Sequence, residues 1–219
     1  MLNKRALEKL GFIASLTEPN LYLHKAVRVW IAVFADDVLA AFPLADTDRY
    51  TRLKQEYAAI IRIGTHDVVP VSVFVGAEIS RNREDKTVTI TNTRFIEKLA
   101  QKYEGQFTES ATPTGPSREA RSAFDKMLPA AEGDTGMDRI KYLELIGGIM
   151  WPVSISRPDC AYYASKLGTC MARPTKANYK AALGVLGYLV KTKKLGVTFG
   201  GPLKIPMGLT SYPRNFEQS

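Results

Sequence analysis

The sequence predicts an α+β fold in which antiparallel hairpins come first and helices follow. Residues 29–42 hold two apolar runs around Asp36 and Asp37, and residues 68–91 hold a second pair of strand-like runs around Asn82 to Asp85. Beyond residue 137, apolar residues recur three and four positions apart, which is the helical period. With 219 residues and 45% hydrophobic content, the chain can bury one sizeable core or two small ones.

The elements follow in order. Leu2, Ala6, Leu7 and Leu10 share one face of an opening helix, and Gly11 stops it. After a turn at Glu18, Pro19 and Asn20, Leu21 to Leu23 form a strand that leads into the Asp-Asp hairpin. Asp46 or Thr47 caps a helix whose apolar face is Tyr50, Leu53, Tyr57, Ile60 and Ile61, with Gly64 as its stop. In the second hairpin, the arm over residues 68–80 has Pro70 at its start and Gly76 as a bulge or a point of close approach. The arm over residues 87–91 alternates Val88 and Ile90 with threonines, so one of its faces is wet. A helix opening at Asn92 or Thr93 carries Phe95, Ile96, Leu99 and Tyr103 and ends at Gly105.

Residues 106–136, rich in Ser, Thr, Pro, Gly and charge, read as a linker with a short helix near Arg118 to Met127. Three helices follow. The first runs from Asp138 to Trp151 and is ended by Pro152; the second starts at Pro158 with Asp159 at its N-terminal dipole; the third starts at Pro174 or Thr175 and ends in Lys191, Lys193 and Lys194. Residues 197–219 show no convincing period. The expected division is therefore 1–91, 92–136 and 137–219.

Composition narrows the function classes. No apolar run reaches the roughly 20 residues of a membrane span, and the N-terminal stretch lacks the apolar core of a signal peptide, so an intracellular protein, cytoplasmic or nuclear, is expected. Cys160 and Cys170 fall in one expected helix, about 15 Å apart, and should not bond to each other. His24 and His66 stand apart, and there is no zinc spacing, P-loop, GxGxxG or HExxH. Of the net charge of +8, all lies in residues 157–219, which carry ten Lys/Arg against Asp159 and Glu217. Such a basic third suits a phosphate backbone, although a solvated helix face has the same composition. Asp is a common turn residue, yet two adjacent carboxylates at a hairpin tip also suit a divalent cation held against a phosphate.

Several stretches, in order, resemble the reverse transcriptase of copia-type long-terminal-repeat retrotransposons. Phe34-Ala35-Asp36-Asp37 is similar to that family's aromatic-x-Asp-Asp box, and Phe74-Val75-Gly76-Ala77-Glu78-Ile79 to its Phe-Leu-Gly-Ile-Glu-Ile strand. Thr112-Pro113, residues 142–150, Ser156-Arg157-Pro158-Asp159 and residues 186–192 resemble further family motifs at matching positions, as do Gly11-Phe12 and Pro19-Asn20-Leu21-Tyr22. The resemblance implies part of a polymerase palm, made of antiparallel hairpins plus helices, followed by a helical thumb and connection. It implies Asp36 and Asp37 as catalytic Mg²⁺ ligands in the intact parent enzyme, with Asp36 the principal one. Phe34 and Ala35 would lie near the primer end, Gly76 in a primer-grip-like hairpin, and Lys191, Lys193 and Lys194 along the phosphates of an RNA template and DNA primer. A dNTP is the implied substrate of that parent.

The family also carries a metal-binding Asp on a strand far upstream, whereas Glu8 and Glu18 are the acids before Asp36 here. A ribonuclease H domain is likewise expected after the connection. The expectation is a polymerase fragment with half a metal site, inactive alone, whose fingers and remaining palm come from another chain. A non-catalytic basic module that binds nucleic acid is the alternative.

Overall fold

A computed structural model describes residues 2–35, 37–61, 71–131 and 137–201. Gly64, His66 and Pro70 lie outside the described residues. The chain forms two compact units, residues 1–75 and 76–219.

The first unit is a β-meander covered by helices. After helix α1 (Leu2–Lys9), strands β1 (Ile13–Ala14), β2 (Leu21–His24), β3 (Val29–Phe34) and β4 (Asp37–Ala41) pair antiparallel in the order β1-β2-β3-β4. Helix α2 (Thr47–Ile61) follows, and the two-residue strand β5 (Val73–Phe74) ends the unit. The strand period of two sends Val29 and Ile31 inward, where they join Leu7, Phe12, Tyr22, Tyr57 and Ile61 in one buried cluster. Trp30 and Phe34 point the other way and stay exposed. Asp46 does not cap α2 as expected. Its buried carboxylate instead accepts hydrogen bonds from Arg28 (3.1 Å) and Arg49 (3.5 Å).

The second unit packs helices α3 (Thr93–Lys102), α4 (Arg118–Asp125), α5 (Arg139–Ile155), α6 (Ala161–Gly168) and α7 (Lys176–Lys191) around a core that includes Ile96, Tyr142, Leu145, Ile149, Leu167, Val185 and Leu186. Fully burying each such aliphatic side chain is worth about 1.5–3 kcal/mol. Strands β6 (Ala77–Asn82), β7 (Thr87–Thr91) and β8 (Val197–Gly200) form antiparallel ladders, with Ile90 opposite both Ile79 and Val197. Asp138 caps α5 through the Ile140 and Lys141 amides, and Thr175 and Asn178 form a reciprocal capping box on α7.

Several expectations change here. Pro152 lies inside α5 rather than ending it. The bare position at Gly148 serves the packing of α3 on α5, since a Cβ there would lie 2.6 Å from Leu99 Cδ1. Pro158 opens a short 3-10 turn, Pro158–Cys160, and α6 is only eight residues long; Cys160 and Cys170 therefore flank that helix, both buried and free. Residues 197–200 are a strand, not aperiodic tail. The stretch from Gln106 to Pro113 is no boundary between units. It lies on α7, where the Ser110 amide donates to the Gly187 carbonyl (3.4 Å). The division falls at residue 75 because the β6–β7 hairpin packs with the helices that follow it.

The end of α7 is fixed by a buried guanidinium. Arg157, fully buried, donates through Nε and Nη2 to the two carboxylate oxygens of Asp159 (2.9 and 2.7 Å) and through Nη1 and Nη2 to the Thr192 carbonyl and hydroxyl (3.2 and 2.7 Å). Its carbon lies 5.2 Å from the Tyr188 ring centre, and the Tyr188 hydroxyl donates to Asp159 (2.9 Å). Burial alone would raise the Asp159 pKa, but the hydrogen bonds from Arg157 and Tyr188 and the adjacent positive charge bring it below its ordinary 3.8.

A depressed folded-state pKa stabilises above the ordinary carboxylate range and loses that contribution as pH falls through the folded value. Asp159→Ala is expected to flatten the acid limb of the stability curve below about pH 4. At neutral pH it should cost about 3–5 kcal/mol by urea unfolding, because the buried Arg157 loses its counter-ion. Adding Arg157→Leu should recover part of that loss; an additive double variant would contradict the pairing.

A Cβ at position 187 would lie 2.1 Å from the Thr108 carbonyl oxygen, whereas one at position 147 would meet nothing within 4 Å. Gly187→Ala is therefore expected to destabilise by about 1–3 kcal/mol. Gly147→Ala, on the same urea assay, should stabilise by about 0.5–1 kcal/mol.

Candidate functional site

The acidic hairpin is built by register. Phe34 pairs with Asp37, so the loop between the strands is Ala35 and residue 36, and Val33 pairs with Val38 behind it. Two-residue loops favour left-handed backbone because that twist matches the flanking strands, and Ala35 accordingly has φ 50°. Asp36 itself lies outside the described residues. Asp37 is the first residue of β4 rather than part of the loop; its carboxylate is exposed and makes no ion pair among the described residues. Phe34 is 55% exposed and shares Asp37's face of the sheet, since directly paired residues project to the same side.

Whether this tip can hold Mg²⁺ follows from its donors. Magnesium takes six oxygens in near-octahedral geometry, commonly with one or two carboxylates and several waters. No group of three His, Cys, Asp or Glu side chains gathers among the described residues. The described part of the tip supplies one carboxylate, so by itself it does not make a metal centre.

The expected primer-grip-like element takes a different form from one long strand arm. Val75 and Gly76 form a tight turn between Phe74 and Ala77, with φ 50° and 74°. Gly76 is thus neither a bulge nor a gap in a continuous strand. Its backbone conformation is the one glycine adopts freely, and a Cβ there would lie 3.9 Å from Trp151. Val75 has no such freedom, because a β-branched residue at positive φ is strained by about 1–3 kcal/mol. Both turns that resemble working parts of a polymerase therefore hold a non-glycine residue in the left-handed region.

The three expected phosphate-binding lysines are unequal. Lys191 pairs with Glu109 (3.7 Å), and Lys193 with Glu97 (2.7 Å), while Lys194 is exposed with no ion pair among the described residues. Arg173, Lys176 and Lys180, which the sequence offers as part of the basic third without setting them apart, are all exposed and none is in an ion pair among the described residues. The available signal was the absence of any Asp or Glu from residue 160 to residue 201.

If Val75 is strained, Val75→Asn should stabilise the protein by about 1 kcal/mol in thermal or urea melts, because Asn tolerates that turn position. A loss of stability would mean that contacts of the half-buried valine outweigh its backbone strain.

No protein-family model matches the chain, and no solved structure matches it. The chain is similar to the retrovirus-related Pol polyprotein from transposon TNT 1-94 of Nicotiana tabacum, with 25% identity over 204 residues. The match covers 91% of this chain but 15% of that polyprotein. No helix among the described residues is long and apolar enough to cross a membrane. The similarity supports an origin of this chain in a retrotransposon Pol polyprotein.

Proposed function

We propose that this chain is a palm, thumb and connection part of an RNA-directed DNA polymerase of a copia-type retrotransposon, which engages a primer–template but does not synthesise DNA alone. The observation that supports the reading is the Phe34–Asp37 register, which sets the Asp37 carboxylate at the start of the returning strand, next to the two-residue turn of an antiparallel hairpin, in a chain similar to a retrotransposon Pol polyprotein. There the acids supply carboxylates to a divalent-metal site whose other donors come from elsewhere. The Val75–Gly76 turn is the second element, a backbone loop for the primer strand. Helices α5 to α7 form a basic support for the phosphates.

The alternative is a basic module that binds nucleic acid without catalysis. It is favoured by the acid-free run from residue 160 to residue 201 and by the exposed Arg173, Lys176 and Lys180, which make no ion pair among the described residues.

Primer extension on an RNA template with dNTPs and Mg²⁺ is expected to give no incorporation above background. Incorporation that disappears in Asp36→Asn would show a self-sufficient polymerase and overturn the second half of the proposal. Binding of an RNA/DNA hybrid, followed by fluorescence anisotropy, should weaken steeply with salt. Lys176→Ala with Lys180→Ala should lower the log–log salt slope by about 2, more than Lys191→Ala with Lys193→Ala, whose lysines already face acids. Binding that ignores salt would remove the nucleic-acid reading altogether.

A further inference from the structure

Helix α7 carries a basic stripe that the chain itself crosses. At about 3.6 residues per turn, Lys176, Lys180, Gly184, Gly187 and Lys191 fall within about 80° of one another on one side of the helix. Lys176 and Lys180 are exposed and make no ion pair among the described residues, and Arg173, also exposed, stands just ahead of the helix. These cations open the stripe at its N-terminal end. Lys191 closes it, about 16 Å beyond Lys180 along the axis.

Between the two ends, the stretch from Gln106 to Pro113 lies against the helix. The Tyr179 hydroxyl donates to Gln106 Oε1 (2.9 Å), and Phe107 packs on the helical core. A Cβ at Gly184 would lie 3.4 Å from the Pro113 carbonyl oxygen, and one at Gly187 would lie 2.1 Å from that of Thr108. The crossing is therefore seated on the bare part of the stripe. It carries Glu109 to within 3.7 Å of the Lys191 ammonium, and both side chains of that pair are more than half exposed. Glu109 is the one acid between Gln106 and Pro113; Thr108 and Ala111, the exposed residues near it, are uncharged.

We infer that Glu109 ends the phosphate-binding track of α7 at Lys180, by keeping Lys191 as its own partner and repelling a phosphate that reaches past the crossing. This rests on the nucleic-acid reading proposed above and adds a boundary to it. A phosphate chain is gripped over Arg173, Lys176 and Lys180 and let go before Lys191. The Lys191–Glu109 pair sums to zero charge, so a phosphate that arrives there releases little counter-ion. Swinging the Glu109 side chain aside does not remove its charge, because the backbone that tethers it is seated on α7. The exposed pair adds little to stability, so the acid can be replaced without loosening the fold.

The test acetylates the lysine amines of the full chain with and without a probe and reads each site by mass spectrometry. The probes are long-chain inorganic polyphosphate and an RNA/DNA hybrid. In the unaltered chain either probe is expected to slow labelling of Lys176 and Lys180 by about tenfold and that of Lys191 by less than about twofold. In Glu109→Gln and Glu109→Lys, labelling of Lys191 should slow about as much as that of Lys180. Glu109→Gln should also tighten hybrid binding by about threefold and steepen the log–log salt slope by about 1, with no change in the urea midpoint. Lys191→Ala alone should leave the affinity unchanged, whereas Lys180→Ala weakens it. The inference is overturned if Lys191 is protected in the unaltered chain as strongly as Lys180, or if it stays unprotected in both Glu109 variants. It is equally overturned if neither probe protects Lys176 and Lys180, or if Lys191→Ala weakens binding as much as Lys180→Ala. The expected pattern with polyphosphate but no binding of the hybrid would remove the polymerase reading and leave the boundary standing. A bound hybrid that protects Lys191 and Lys180 alike would do the reverse.

Discussion

The second unit depends on one buried cation. Desolvating a guanidinium is expensive, and Arg157 offsets that cost only because Asp159 and Thr192 take up its donors and the Tyr188 ring covers its face. These partners come from the turn after α5 and from the end of α7, so the pair fixes where both helices stop. Next to it, Ser156 donates to the buried Asn92 (2.7 Å), and Thr93 donates to the Lys193 carbonyl (3.0 Å), which ties in the start of α3. The position of Thr192 in turn sets the exit of the chain toward β8. Gly196 passes so close to β7 that a Cβ there would sit 2.1 Å from the Ile90 carbonyl oxygen. The β7–β8 ladder therefore forms where the Arg157 cluster releases the chain.

Periodicity made most of this fold legible. The helical faces of α3 and α7 and the alternation of β3 are written in nearest-neighbour spacing, and they form where that spacing puts them; α5 leaves Ile140 and Met150 exposed and buries Tyr142, Leu145 and Ile149 instead, and all five residues of β7 are half-buried, so neither of its faces is the wet one expected. What the spacing could not carry is contact between residues far apart in the chain. β8 is four residues with little pattern of its own, and it becomes a strand because β7, about a hundred residues earlier, offers an edge. The composition of residues 106–113 reads as linker, yet its backbone is held by the bare surface of α7 at Gly184 and Gly187. Pro152 signals a helix stop by itself. Yet α5 runs on past it to Ile155.

The candidate site was legible in its chemistry and less so in its geometry. Adjacent acids between two apolar runs announce a hairpin, but they do not say that the second acid belongs to the returning strand. That assignment comes from the Phe34–Asp37 register. Nor does an Ala or a Val signal left-handed backbone, because those residue types avoid it. Ala35 and Val75 hold that conformation because a two-residue turn between extended segments leaves no other. The lysines show a third kind of gap. Lys191 and Lys193 stand out as a basic cluster, while the acids that meet them, Glu109 and Glu97, belong to distant segments of the chain.

Charge separates the two units in a way that bears on how nucleic acid could be held. The first unit carries nine Lys/Arg against eight Asp/Glu, the second twenty-one against fourteen. A phosphate near the acidic hairpin therefore meets like charge with little general attraction to offset it. At 4 Å and an effective dielectric of about 20, one carboxylate repels one phosphate charge by about 4 kcal/mol. A divalent cation between them reverses the sign of that interaction, as metal ions do wherever they are the largest local charge. The exposed lysines of α7, Lys176 and Lys180, need no such mediator, since lysine and arginine bind phosphate by releasing its counter-ions. Contact at the hairpin should therefore require a divalent ion and disappear with a chelator, while contact along the helices should survive chelation and yield to salt. A hybrid that binds through both would lose one component to each treatment, and the size of each loss would report how much of the affinity the acidic tip contributes.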